Sequence, residues 1–252
     1  MKYRILVITV LAISCLAAIG RLQNLTSRSE STSEKEIEVA VSTPKKSYAL
    51  GEVIPLAIMI RNLSGKDISM VNTFDQTRNT LKLYVYNADK SLNYQKLNPA
   101  LGFISFNGWV NMRPGEKLER SLQVLARKKP DDNVEFLFDA AGTYYLQVSY
   151  RVQFARPQAP RTEVKSEPIK INITEPHDQD MLVWETIKDR GEFAYFMQEG
   201  DFLISSFKKE ERAKLQAEIE QILAEHPNSI YAGPMRESLE KYKAKYKPNE
   251  KK

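Results

Sequence analysis

Between Phe138 and Tyr150 the chain reads Phe-Asp-Ala-Ala-Gly-Thr-Tyr-Tyr-Leu-Gln-Val-Ser-Tyr. Tyr144, Leu146, Val148 and Tyr150 recur at every second position, with Tyr145, Gln147 and Ser149 between them. A period of two sends successive side chains to opposite faces of an extended chain. This stretch is therefore a strand with one buried face. Gly142 supplies the permissive backbone of a turn ahead of it. The chain before it offers partner strands; the chain after it offers a closing strand and then helices.

The partner strands are legible by the same period. Ile37, Val39 and Val41 alternate with charged or small residues, and a short extended piece surrounds Tyr48 and Leu50. Ile54, Leu56, Ile58 and Ile60 share one face of Val53–Ile60, with Pro55 early enough to be tolerated at a strand start or edge. Leu81, Leu83 and Val85 form another face, as do Leu118, Leu122 and Val124, and finally Ile169, Ile171 and Ile173. Turn clusters separate them at Asn62–Asp67, Asn87–Ser91 and Arg113–Glu116. Arg127–Asn133 reads as a charged loop, and Gln153–Ser166, with Pro157 and Pro160, as a long hairpin connection. The stretch Asn98–Met112 is too apolar for a free loop. It is either a cover over one end of the fold or an exposed aromatic patch. About seven or eight short strands with regular turns predict an antiparallel β-sandwich.

After Pro176 the period lengthens. Met181, Trp184, Ile187 and Lys188 stand at helical spacing, with Asp178 or Asp180 as N-caps. Phe193–Ile204 is a second apolar segment, punctuated by Gly191 before it and Gly200 within it. Lys208–Glu225 is amphipathic, with Leu215, Ile219, Ile222 and Leu223 in one stripe. His226-Pro227 ends that helix, and Ser229 is placed to cap a last one through Leu239 to Tyr246.

Parts of the chain resemble known families. Leu50-Gly51-Glu52, Ile60-Arg61-Asn62, Pro114-Gly115-Glu116 and Ala141-Gly142-Thr143-Tyr144, in that order, resemble bacterial secreted immunoglobulin-like or fibronectin-III-like modules. Tyr144 stands where such modules carry their tyrosine corner. Ala140 replaces their Asp and Leu146 their Cys, so the resemblance implies a disulfide-free relative. The same Asn…Pro-Gly-Glu…Gly-x-Tyr skeleton is similar to the bacillar intracellular proteinase inhibitor domain. Ile222–Ala232 resembles the helix junction of tetratricopeptide repeats: Pro breaks one helix, Ser caps the next, and Tyr with Ala packs the pair. One repeat cannot bury its own faces. These helices must pack on each other, on the sandwich or on a partner.

The implied organisation is a signal or anchor at 1–20, a flexible linker at 21–36, an immunoglobulin-like sandwich at 37–175, a tetratricopeptide-like helical module at 177–246 and a basic tail at 247–252. Lys2 and Arg4 precede an apolar run from Ile5 to Ile19 broken by Thr9 and Ser14, the layout of an export signal. Cleavage near Gly20 is expected, with an uncleaved anchor as the alternative. Cys15 lacks the polar sequence that follows a lipidated cysteine, and Leu11 lies one place too far from it, so the expected role is that of an ordinary signal residue. It is the chain's one cysteine, which excludes an intramolecular disulfide framework. Of the net charge of +5, the signal holds +2 and the last twelve residues +5, which leaves the rest near −2. That distribution argues against a nucleic-acid groove.

Catalytic motifs are absent from the sequence. Two histidines, His177 and His226, leave little for an acid–base set or a histidine metal site. No phosphate-binding glycine loop, zinc-protease motif or nucleophile elbow occurs. The expectation is an exported, non-catalytic envelope protein, periplasmic or at the cell surface, without cofactor or metal, that recognises a protein partner or ligand. Its expected contact residues are Phe103, Phe106, Trp109, Trp184 and Tyr231. Membrane contact is expected only through an uncleaved N-terminal segment. The alternative is a proteinase inhibitor presenting Asn98–Met112 or Gln153–Ser166; a hydrolytic enzyme is the third reading.

Overall fold

Ile54, Leu56, Ile58 and Ile60 alternate in sequence, and all four are at most 1% exposed in the folded chain. Burying each is worth about 2 kcal/mol over leaving it in water, enough to hold this strand at the centre of a sheet. The structure is a computed structural model that describes residues 36–71, 80–87, 91–93, 108–129, 133–152, 154, 162–202 and 209–246. The expected signal, the linker up to residue 35, Phe103, Phe106 and the basic tail lie outside the described residues.

The strands are β1 (Ile37–Ser42), β2 (Ser47–Ala49), β3 (Ile54–Asn62), β4 (Ile68–Val71), β5 (Leu81–Asn87), β6 (Ser91–Asn93), β7 (Trp109–Met112), β8 (Lys117–Val124), β9 (Ala126–Lys128), β10 (Val134–Phe136), β11 (Gly142–Val152), β12 (Thr162–Lys165) and β13 (Ile169–Thr174). The helices are α1 (Asp178–Ile187), α2 (Gly191–Glu199), α3 (Lys209–Glu225) and α4 (Ala232–Lys245). The fold is thus β-rich and mostly antiparallel, followed by helices. The thirteen strands among the described residues exceed the seven or eight expected, because segments of three or four residues are too short for a period of two to register. Part of the expected charged loop at Arg127 is such a case. It is the β9–β10 hairpin, braced by an Arg127–Glu135 ion pair at 2.5 Å.

One sheet has the order β1-β3-β8; a larger one has the order β2-β13-β11-β5-β6, with β12 paired to the far end of β11. Strand β2 joins β13 in parallel, and all other pairs among the described residues are antiparallel. Tyr144, Leu146, Val148 and Tyr150 of β11 are buried as their spacing requires, in one core with the buried faces of β1 and β3. The Tyr144 hydroxyl donates to the Ala140 carbonyl at 3.0 Å, tying the start of β11 to the turn before it.

Asn62 organises the other end. It is fully buried. Its amide donates to the Lys66 and Met112 carbonyls, both at 2.9 Å, and its Oδ1 accepts from Ser64 N at 2.8 Å and Ser64 Oγ at 2.7 Å. Its backbone bonds the Pro-Gly-Glu turn, donating to Glu116 O at 3.0 Å and accepting from Gly115 N at 2.9 Å. A buried amide is tolerable only with its hydrogen bonds made, and here both ends of the group are satisfied.

The helices close over one end of the sheets. Gln198 Oε1 on α2 accepts from Leu125 N and Ala126 N, both at 2.9 Å. The Tyr231 hydroxyl donates to Leu50 O at 2.6 Å. Trp184 meets Phe136 edge-on at 4.9 Å between centroids and lies on Gly51, whose φ is +71°. A methyl there would overlap the indole, so Gly51 permits both the turn and the ring above it. Ser238 of α4 donates to Met197 O of α2 at 3.3 Å. One hydrophobic cluster therefore runs from the sheets through the helices.

Two capping expectations are corrected. His177, not an aspartate, is the N-cap residue of α1 and makes no side-chain cap bond. Asp180 is drawn away to a tertiary bond, accepting from Ile230 N at 3.0 Å. Helix α4 begins after Tyr231; Ser229 accepts from Tyr231 N at 3.4 Å and stands one turn outside.

Candidate functional site: an outward cationic and tyrosine-bearing sheet face

In a strand the residues between buried positions face outward. On the large sheet these are Lys82, Tyr84 and Tyr86 of β5, Thr143, Tyr145, Gln147, Ser149 and Arg151 of β11, Glu163 and Lys165 of β12, and Lys170 and Asn172 of β13. The register sets them in rows. Lys165 lies opposite Ser149 and Ser149 opposite Lys82; Lys170 lies opposite Tyr145 and Tyr145 opposite Tyr86. Side chains so opposed are in contact range. Tyr86 and Tyr145 stack with centroids 5.5 Å apart and planes 16° from parallel. Lys165 Nζ lies 5.3 Å from the centre of the Tyr84 ring.

Glu163 is the carboxylate among these outward positions, and its oxygens are engaged. Ser149 Oγ donates to it at 2.6 Å, Tyr84 at 3.2 Å and Lys82 at 3.3 Å. The Ser149 hydrogen bond, helped by Lys82 and Tyr84, holds its carboxyl below the usual carboxylate range against the opposing effect of burial. Ser149 is 1% exposed and spends its proton on a carboxylate that stays ionised. This braces the face and does not generate a nucleophile. Lys165 and Lys170 are exposed and Arg151 half-buried, and none has an acidic partner among the described residues. Among the described residues the face therefore carries four cations and one anion.

Beside it, a depression of about 830 Å³ opens where the outer strands β1 and β12 meet. It is lined by Ile37, Glu38, Val39, Leu63, Glu163, Val164, Lys165 and Glu167. Glu38 pairs with Arg61 at 2.6 Å. The lining mixes Glu38, Glu163 and Glu167 with Lys165, and Glu38 and Glu163 are both ion-paired.

Of the expected contact residues, Trp184 and Tyr231 meet at the Gly51 turn. Trp109 lies on β7, opposite Val71 of β4, and is 48% exposed. Trp184 is 6% and Tyr231 0% exposed, so the groove expected near them is filled by the Gly51 turn. Their partner is this chain's own β-region, because helices with one apolar stripe bury it on whatever apolar surface is nearest. The middle of the two proposed inhibitor loops, like Phe103 and Phe106, lies outside the described residues. His177 is exposed and His226 half-buried, at separate helix ends. Among the described residues no three His, Cys, Asp or Glu side chains converge as a metal site, and no helix is long and apolar enough to cross a membrane. The outward face itself was missed because lysine and tyrosine at alternate positions read as ordinary solvated strand residues. The signal that marks it is tyrosine, rather than serine or threonine, at Tyr84, Tyr86 and Tyr145.

No protein-family model matches the chain, and no curated protein matches it. A β-glucosidase from Erythrobacter marinus aligns at a TM-score of 0.32 and 13% identity, over 55% of this chain and 15% of its own. An α-2-macroglobulin fragment from Escherichia coli aligns at 0.31 and 15% identity, over 55% of this chain and 16% of its own. A structural-genomics target aligns at 0.33 and 12% identity, over 57% of this chain and 95% of its own. The chain thus spans a small part of the glucosidase and macroglobulin structures, and likenesses at these TM-scores carry no argument about fold or function.

Proposed function

We propose that this protein is an exported, non-catalytic envelope protein that recognises a ligand through the outward face of its large sheet. The observation that carries the reading is that face: four cations and three tyrosines in register, with its carboxylate already engaged. Charged residues mixed with half-buried aromatic rings favour binding, since the rings bring apolar area and the charges orientation. The arrangement of the first twenty residues supports export. An immunoglobulin-like sandwich is the finer reading of the β-region. It is supported by the Tyr144–Ala140 bond, the tyrosine-corner contact, and by Asn62 holding the Pro-Gly-Glu turn. The helices serve this scaffold from within, so recognition belongs to the sheet.

The test is retention of envelope components by immobilised protein, comparing the native chain with the double variant Lys165→Glu, Lys170→Glu. A component held saturably by the native chain and lost from the variant supports the face. Equal retention by both places recognition elsewhere. Export is tested in parallel by fusing residues 1–36 to a reporter enzyme active only outside the cytoplasm; a silent fusion refutes it.

A further inference from the structure

We infer that the ligand of this face is an acidic polysaccharide, a claim that rests on the recognition reading above. Charge comes first. Lys82, Arg151, Lys165 and Lys170 face outward against Glu163, while the chain between its signal and its tail is near −2. The face is thus a local concentration of positive charge on a body that is not basic, and it fits an anionic partner.

Shape narrows the class. Arg151 and Tyr145 are six residues apart on β11, so the face extends roughly 20 Å along the strands. It is open, without the enclosure a small molecule needs. An extended chain lying across it would meet rings and cations in turn. A sugar ring offers an apolar C–H face to the negative face of a tyrosine, carboxylate or sulfate groups to lysine and arginine, and hydroxyls to the Thr143–Asn172 pair, which meets at 3.1 Å on the exposed surface.

The rival polyanions fit less well. Single-stranded nucleic acid is held in a positively charged groove that tracks its backbone; the rows of this face lie on an open sheet surface. An extended peptide adds most readily to a strand edge, where its main chain finds open hydrogen-bonding groups. The cations here lie on the face of the sheet, in rows across β5, β11, β12 and β13, and not along such an edge.

The experiment titrates the full chain with polygalacturonate, dextran sulfate, neutral dextran, polyglutamate and a single-stranded oligonucleotide. The variants are Lys165→Glu with Lys170→Glu, Tyr145→Ala, and Lys214→Glu on the remote helix α3 as control. Near-ultraviolet circular dichroism confirms that each is folded. Polygalacturonate or dextran sulfate should bind, more weakly as salt rises, and neutral dextran should not. The double charge reversal should weaken binding at least tenfold, Tyr145→Ala several-fold and Lys214→Glu not measurably. Tighter binding of polyglutamate or the oligonucleotide, lost in the double variant, overturns the polysaccharide assignment and leaves the recognition face standing. Binding of no acidic polysaccharide overturns it as well. Polysaccharide binding unaffected by the face variants overturns both the assignment and the face.

Discussion

Replacing Gly191 with alanine should destabilise the protein, although alanine is the better helix former. Gly191 opens α2 with its Cα against the backbone of β10. A methyl there would overlap the Val134 carbonyl and stand 2.9 Å from Glu135 N, where ordinary contact begins at 3.4 Å. The obstacle is backbone on both sides, so α2 must back away by roughly 1 Å, and overpacking of that kind costs about 1–3 kcal/mol. The same movement stretches the two hydrogen bonds from Leu125 N and Ala126 N to Gln198, each worth about 1 kcal/mol. The expected loss is about 3 kcal/mol, or about 6–12 °C in melting temperature for a chain of this size. Gly233, in the first turn of α4, would carry a methyl with nothing within 4 Å of it; there alanine should change stability by less than about 0.5 kcal/mol, because its helix propensity is opposed by Pro234, which follows it. Urea unfolding of both variants and the native chain decides the matter. If Gly191→Ala matches or exceeds the native midpoint while Gly233→Ala behaves as expected, α2 does not rest on β10 and the shared core is wrong.

Other outcomes follow from single groups. Tyr231→Phe removes the donor to the buried Leu50 carbonyl and should cost about 1–3 kcal/mol in chemical denaturation, since an unpaired buried acceptor loses its water without replacement. Asn62→Ala deletes four hydrogen bonds at a fully buried site; a loss of about 3 kcal/mol or more is expected, and a near-neutral midpoint would refute its organising role. Stability should also fall in alkali. Burial, then Glu199 and Asp201, push the Tyr195 hydroxyl up to about 12 from 10.0, and burial raises Tyr231 further. An unfolded tyrosine therefore ionises first, the unfolded state binds fewer protons, and stability is lost as pH rises from 10.0 through the folded value. Urea midpoints on either side of that range test this, and Tyr195→Phe should soften the decline.

The β-region was legible wherever a strand was long enough to repeat itself. Ile54 to Ile60 and Tyr144 to Tyr150 alternate through several cycles, and burial follows the alternation except at Ser149, which is buried on the outward side where it bonds Glu163. Strands β6, β9 and β10 span three residues each, less than two full cycles, and only their partners define them. The amphipathic stripe Leu215, Ile219 and Ile222 is buried as its spacing required. What that stripe and its neighbours would cover was open, because periodicity reports that a face is apolar and not what lies against it.

The same limit separates the two halves of the functional argument. Composition and motif content, with two histidines and one cysteine, constrained the chemistry from the sequence alone. Trp184 and Tyr231 stood out there as the aromatic residues of a candidate helical groove. Whether such rings meet a partner or the chain's own Gly51 turn depends on a long-range contact, and the tertiary structure placed them inside. The proposed recognition face reversed that pattern. Lys82, Arg151, Lys165 and Lys170 are scattered over three strands and a hairpin arm, each a solvated residue in its own segment, in a chain whose net charge between signal and tail is near −2. Pairing in register gathers them with Tyr84, Tyr86 and Tyr145 on one surface. Local sequence determines which side of a strand a residue takes; only the order of strands in the sheet determines which residues become its neighbours.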